Sequence, residues 1–332
     1  MEMTEEQKRL MQTAQLVQAM QSAQEPQQEP QTFLPHDPDY GLDEIPLVGV
    51  VGHGFVGKAV EKSFVHTVNR FLVDPNYGTD IDQLIERQPS LVFVCTPTPV
   101  GENGAIDAAV TTDAILKLLA STKAGVVLKS TVTPDVLSKI VMTIESQQNA
   151  HRFIYAPEFL TEKNAAAEFA NPEYMVFGGV PSSCSELIEF FRYSTVLRMP
   201  QGPDRVHIVH PVEASFIKYA INCYLAMKVT FFNQLNDALE QEPTCLPANV
   251  LKAISCEPRI GRSHWQAPGP DGKKGFGGAC FPKDISAMIN YTDKLTLLEK
   301  VIEINNEYRA EYDLDDREKE QNITFLTEGE TK

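Results

Sequence analysis

The stretch IPLVGVVGHGFVGKAVEKSF, residues 45–64, constrains the fold of this chain more than any other. Its unbroken apolar start is the pattern of a parallel strand buried on both faces. Gly52, Gly54 and Gly57 follow in GxGxxG spacing, and a helix-forming segment follows them. Such glycines permit a tight turn and let backbone N–H groups approach a pyrophosphate, while the helix N-terminus adds favourable charge. The expected dinucleotide loop is therefore Gly52, Gly54, Phe55, Val56 and Gly57. Asp74 ends the next strand, 22 residues after Gly52. Its carboxylate can accept bonds from both ribose hydroxyls and would repel a 2′-phosphate. Pro75 and Asn76 follow it, with no Arg to rescue that phosphate. The expected cofactor is NAD rather than NADP.

Further strands are expected in RFLVD, LVFVCTP, GVVLKST, RFIYAP and YMVFGGV, with helical stretches between them. This alternation predicts an α/β fold, a Rossmann-type doubly wound parallel sheet, over residues 43–210. After Pro211 the pattern changes. VEASFIKYAINCYLAMKVTFFNQLNDALE runs without Pro or Gly and predicts one long helix, apolar most of the way round. PANVLKAIS predicts a short helix, and a last helix is expected after GFGGACFPKD, through about Tyr312. Residues 211–314 thus read as a mainly helical dimerisation and catalytic domain. Residues 1–42 are rich in Gln and Pro and are expected to be a disordered tail, though Thr4 and Gln7 could cap a short helix. Residues 315–332 are expected to be a frayed acidic tail.

The formal charge of −16 argues against nucleic-acid polymers and membrane surfaces as partners, because both select basic faces. No apolar run approaches the ~20 residues of a membrane helix, and the acidic N-terminus is no signal peptide. Six scattered cysteines without CxxC read as reduced thiols in a cytoplasmic protein, and no metal-ligand spacing occurs.

Several residues carry chemistry by their placement. Thr96 and Thr131 follow strand ends, where ligands of such sheets bind. Thr131 reads equally as a helix cap. Cys280 stands in GFGGACFPKD between glycines and Lys283-Asp284. A nearby cation and a helix N-terminus favour a thiolate, whereas a core cysteine would have apolar neighbours. NAD together with a nucleophilic thiol suggests oxidation of an aldehyde to an acid through a thiohemiacetal and a thioester. Lys218 and Asn222 are four apart, on one helix face, and could form an oxyanion clamp. By spacing alone Lys218 reads better as a solvated helix residue. Glu158 and Glu162 are also four apart, and either could be a general base or a helix-start acid.

Taken together, GHGFVG, CTPTP, KSTV, APEFLTE, EASFIKYAINCYLAMKVTFFN, PRIG and GFGGACFPKD resemble the UDP-glucose/GDP-mannose dehydrogenase family, in its order and over about residues 46–310. The CFPKD ending and PGPDGKKGFGG are most similar to the UDP-glucose 6-dehydrogenase branch. The resemblance implies a four-electron oxidation of a sugar nucleotide's primary alcohol with two NAD. It implies Cys280 as nucleophile, Lys218 and Asn222 as the oxyanion pair, and Glu158 as the carboxylate of thioester hydrolysis. Asp284 and Thr131 would hold the catalytic water and move protons. Thr96, Glu162 and Lys283 are expected beside the cofactor. Phe159, Leu160, Phe276, Gly277 and Gly278 would contact the sugar nucleotide, and Arg259 would reach a substrate in a neighbouring subunit. A homodimer through residues 211–240 is implied as well. The resemblance ends before the family's further nucleotide-binding domain, which leaves open UDP-glucose, GDP-mannose, or a non-catalytic NAD-binding subunit.

Overall fold

The computed structural model describes residues 46–161, 164–202 and 204–326. The N-terminal segment with Thr4 and Gln7, Glu162, and residues 327–332 lie outside the described residues.

The apolar runs form one seven-stranded sheet of β1 (Leu47–Val51), β2 (Asn69–Val73), β3 (Leu91–Val94), β4 (Gly125–Leu128), β5 (Phe153–Tyr155), β6 (Met175–Gly179) and β7 (Val206–Val209), in the order β2-β1-β3-β4-β5-β6-β7. The first five strands are parallel. Connecting helices are α1 (Phe55–Ser63), α2 (Ile81–Glu86), α3 (Ala109–Ser121), α4 (Pro134–Ser146), α5 (Ala165–Ala170) and α6 (Pro181–Ser194). Alternate strand residues face opposite layers. Val92, Val94 and Val126 pack with α3 and α4, while Leu91, Phe93 and Val127 pack with α1 and α6. Burial on both faces is why these strands lack polar alternation.

Two expectations for the sheet need correction. β6 runs antiparallel to β5, with Tyr155 opposite Gly178. The intervening chain stays at the carboxyl rim and carries Glu158 and α5, so it never crosses the sheet's full length, as a parallel return would require. β7 was not expected. It pairs parallel with β6 as the edge strand, and His207 and Ile208 remain exposed, so its sequence has no buried-strand signature.

The long helix is α7 (Pro211–Glu240), as expected, about 45 Å of helix. Pro211 opens it, and a reciprocal cap ties it down. The His210 ring accepts from the Val212 N–H at 3.2 Å, and Glu213 accepts from the His210 N–H at 2.8 Å. A Cβ at Gly178 would lie 2.6 Å from Pro211 Cα, so glycine is what lets the helix start against β6. α8 (Pro247–Ser255) follows.

The last helix is broken. α9 (Phe281–Tyr291) ends where Thr292 turns extended, and α10 (Leu297–Arg309) doubles back to pack on α7 and α9. The acidic end is not frayed over residues 315–326. Asp315 caps α11 (Asp316–Glu320), and Glu318 and Ile323 are buried. Its charge pattern reads as solvated because the partners that bury Glu318 are remote in sequence.

Candidate functional site

The glycine loop and Asp74 form the first part of the site. Gly52 has φ +87°, and a Cβ there would meet the Cys95 carbonyl oxygen at 2.7 Å. A Cβ at Gly57 would stand 2.0 Å from the Gly52 oxygen, so α1 could not close on the loop. Gly54, between them, has open space above it. Asp74 accepts the His53 N–H at 2.8 Å and the Asn76 N–H at 3.0 Å. Burial pushes its carboxyl up, but these two amides outweigh burial and hold it below the ordinary value. A cradle of glycines beside a fixed carboxylate fits a dinucleotide with a free 2′-hydroxyl.

Neighbouring hydroxyls brace the crevice. Thr96 Oγ1 lies 2.7 Å from Thr111 Oγ1, Ser130 donates to the Thr96 carbonyl at 2.6 Å, and Thr98 donates to the Thr131 carbonyl at 2.9 Å. The Thr96 hydroxyl is thus turned into α3. Thr133, not Thr131, is the N-cap position of α4.

The second part is a buried polar chain where α7 meets α9. Lys218 and Asn222 are 7% and 5% exposed, which overturns the reading of Lys218 as a solvated residue. Lys218 donates to Asn222 Oδ1 at 3.4 Å. Asn222 donates to Asp284 Oδ2 at 2.6 Å, and Lys283 to Asp284 Oδ1 at 2.6 Å. Cys280 is the N-cap residue of α9 and is exposed, and its carbonyl accepts the Asp284 N–H at 2.9 Å. Cys280 therefore stands exposed at the start of the helix whose first turn carries Lys283 and Asp284. Lys218 Nζ also lies 5.3 Å from the centre of the Phe159 ring, which packs on Tyr174. Leu160 packs beside it against the α1 and α6 layer.

Glu158, after β5, pairs with Lys129, after β4. Burial raises the Glu158 carboxyl above its ordinary value, and Lys129 and Lys218 offset only part of that rise. Cys95, also at this rim, has a thiol pushed above its ordinary range by burial.

The thiol loop is held by its backbone. Asn233 Oδ1 accepts the Gly275 N–H at 3.2 Å. Asn305 brackets Phe276, accepting its N–H at 2.6 Å and donating to its carbonyl at 3.0 Å. Glu318 Oε1 accepts the Gly278 N–H at 2.9 Å. A Cβ at Gly277 would lie 2.1 Å from Arg309 Nη2. The expected contact role of Phe276 finds its ring in the core, 4% exposed. Arg259 stands on an exposed loop and pairs with Glu257.

Two sequence profiles of one family match the chain: "UDP-glucose/GDP-mannose dehydrogenase family, NAD binding domain" over residues 75–193, and "central domain" over residues 212–307. The chain belongs to the UDP-glucose/GDP-mannose dehydrogenase family. The first match begins just past Asp74 and does not cover the glycine loop. The UDP-glucose 6-dehydrogenase of Rickettsia felis is 32% identical over 222 residues, covering 65% of this chain and 47% of that protein. A UDP-glucose 6-dehydrogenase of Bacillus subtilis is 29% identical over 245 residues, covering 70% and 50%. The chain spans about half the length of the curated relatives it matches. A solved UDP-glucose dehydrogenase from Pyrobaculum islandicum superposes with a TM-score of 0.64 at 22% identity, over 80% of this chain and 68% of that one, a likeness of fold. This chain therefore carries the family's NAD-binding domain, and NAD is its cofactor.

Sequence reasoning missed Lys129, Asn233, Asn305, Arg309 and Glu318. KSTV was recognised, but nothing in its spacing tells that Lys129 points inward. A polar Asn within an apolar helix stripe is the available signal for Asn233 and Asn305, and Arg309 and Glu318 carry none. No described helix is long and apolar enough to cross a membrane.

Proposed function

We propose that this chain catalyses NAD-dependent four-electron oxidation of a nucleotide sugar's primary alcohol to the carboxylate, with UDP-glucose as substrate and UDP-glucuronate as product. Residues 43–210 form the NAD-binding part, and residues 211–314 form the dimerisation and catalytic part. The observation that carries this reading is the buried chain Lys218–Asn222–Asp284–Lys283, whose last two members stand in the first turn of the helix that Cys280 caps. A binding module would gain nothing from two ammonium groups and a carboxylate in a dry pocket, since burying charge is costly.

Gly52, Gly54, Phe55, Val56, Gly57 and Asp74 hold the cofactor, with Thr96, Thr131, Glu162 and Lys283 toward its reactive end. When bound, NAD supplies the hydride acceptor for each of two oxidations. Lys218 and Asn222 stabilise negative charge on the substrate oxygen as its proton passes to the water held by Asp284 and Thr131. The Cys280 thiolate then adds to the aldehyde carbon, and the resulting thiohemiacetal oxygen is held by the same pair. Loss of a second hydride leaves a thioester on Cys280. Glu158 takes a proton from water, the water oxygen bonds to the thioester carbon, and the carbon–sulfur bond breaks to release acid and thiolate. Asp284 and Thr131 order that water. Glu158, Phe159, Leu160, Gly277 and Gly278 line the sugar nucleotide's path, and Phe276 holds their loop from the core.

The active species is a homodimer through α7, with Arg259 reaching the partner's substrate. Phe216, Tyr224 and Phe231 are exposed along this helix, an apolar face that suits a second copy. The reduced thiol that the chemistry needs fits a cytoplasmic setting. The test is the NADH formed per sugar nucleotide consumed, followed by absorbance. Two NADH per UDP-glucose are expected. Turnover on GDP-mannose alone would reassign the substrate, and no NADH from either would refute the catalytic reading.

A further inference from the structure

Lys129 stands where a lysine is costly. It is 4% exposed, its N–H donates to the Val94 carbonyl at 2.8 Å, and its stem leaves the carboxyl end of β4 into the layer beside α5. The Phe169 ring lies 5.7 Å from its Nζ, and its ammonium is paired with the Glu158 carboxylate. An ammonium removed from water is tolerated only against a well-placed opposite charge. The groups facing Glu158 are Lys129 from β4, Lys218 from α7, and the buried Cys95 thiol from the end of β3. The two lysines are not equivalent. Lys218 donates to Asn222 and so joins the chain that ends at Asp284. Lys129 has its ion pair with Glu158 alone among the described carboxylates.

We propose that Lys129 is a positioning residue for Glu158. It aims the carboxylate into the crevice and opposes its protonation there, so that it can take a proton from the water that attacks the Cys280 thioester. In that step the water proton moves to Glu158, the water oxygen bonds to the acyl carbon, and sulfur leaves as thiolate. Lys129 exchanges no proton. Without its charge, burial favours the protonated acid, which cannot activate water, and Lys218 is the cation left to oppose it. The assignment of the step rests on the function proposed above, whereas the pairing does not.

The test separates the two. Infrared titration of the NAD-loaded protein, with Glu158→Gln as the reference, isolates the Glu158 carboxyl band. In Lys129→Met, Glu158 is expected to bind its proton ~10-fold or more tightly, and Lys129→Arg is expected to restore the original midpoint. An unchanged midpoint in Lys129→Met overturns the proposal. If Lys129→Met fails to fold, the double variant Lys129→Met/Glu158→Gln should fold, because no uncompensated charge remains. Failure of that rescue would also count against the pairing. With UDP-glucose, the acid limb of kcat for acid release should move to higher pH by the same factor as the infrared midpoint, with KM held. A limb that stays in place while the midpoint moves overturns the catalytic part. Absence of NADH formation by the unmodified protein would strike the functional reading instead, and the infrared midpoint would still decide the pairing.

Discussion

Replacing Glu318 with Ala should be among the most damaging single changes outside the strands. Glu318 has no exposed surface, and its Oε1 accepts both Arg309 Nη2 at 2.9 Å and the Gly278 N–H at 2.9 Å. Its Oε2 accepts the Asp315 N–H at 2.9 Å. Arg309 is itself 2% exposed. Removing one partner of a buried pair costs about 3–5 kcal/mol, since the remaining charge is left uncompensated. Asp271 tempers this, because its half-exposed carboxylate still meets Arg309 Nη1 at 2.7 Å. The orphaned Gly278 amide adds about 1 kcal/mol or more where water cannot reach it. The expected loss is therefore about 4 kcal/mol, read from the urea unfolding midpoint. Glu318→Gln keeps an acceptor for Gly278 and should lose less. Glu318→Leu with Arg309→Met removes both charges and should recover most of the loss. A loss below about 1 kcal/mol for Glu318→Ala, or a double variant no better than the single one, would refute the reasoning.

Three further outcomes are expected. Gly57→Ala places a methyl against the Gly52 carbonyl, and NAD affinity by calorimetry should fall at least ~10-fold; unchanged affinity would mean that the glycine loop does not hold the cofactor. Asp237 accepts from Lys274 at 2.6 Å and from Tyr308 at 2.6 Å; burial pushes its carboxyl up, but these bonds outweigh it and hold the folded value below the ordinary 3.8. Its stabilisation is therefore complete above that ordinary value and is lost as pH falls through the folded one, so Asp237→Asn should flatten the acid side of a stability–pH curve, measured by thermal unfolding. Cys280→Ser should bind NAD normally yet release no acid, by chromatography of products, because a serine alkoxide is not available at this helix start as a thiolate is. Full acid production by that variant would remove the thioester from the mechanism.

The nucleotide half of the site was legible because it is local. Glycine spacing, an apolar run before it and Asp74 after it are imposed by backbone geometry within one β–α–β unit, and periodicity carries such patterns directly. The long helix was legible for the same reason, and it brought Lys218 and Asn222 to one face through spacing alone. Residues joined across the chain were not legible. The Asn222–Asp284 bond spans 62 residues, the Glu318–Gly278 bond 40 and the Asn305–Phe276 bond 29. Each depends on how finished elements dock, and composition carries no record of docking. The break at Thr292, the reversal of β6 and the burial of an acidic end belong to the same class. A strand's apolar run is demanded by burial from any direction, whereas a buried lysine such as Lys129 is tolerable only where the fold delivers a carboxylate to it. By itself, then, the sequence determined the strand–turn–helix proposed to receive NAD and the place of Cys280 at a helix start. Only the tertiary structure decided which charges face each other, because the free energy of a buried charge is set by its neighbours in space and not by those in the chain.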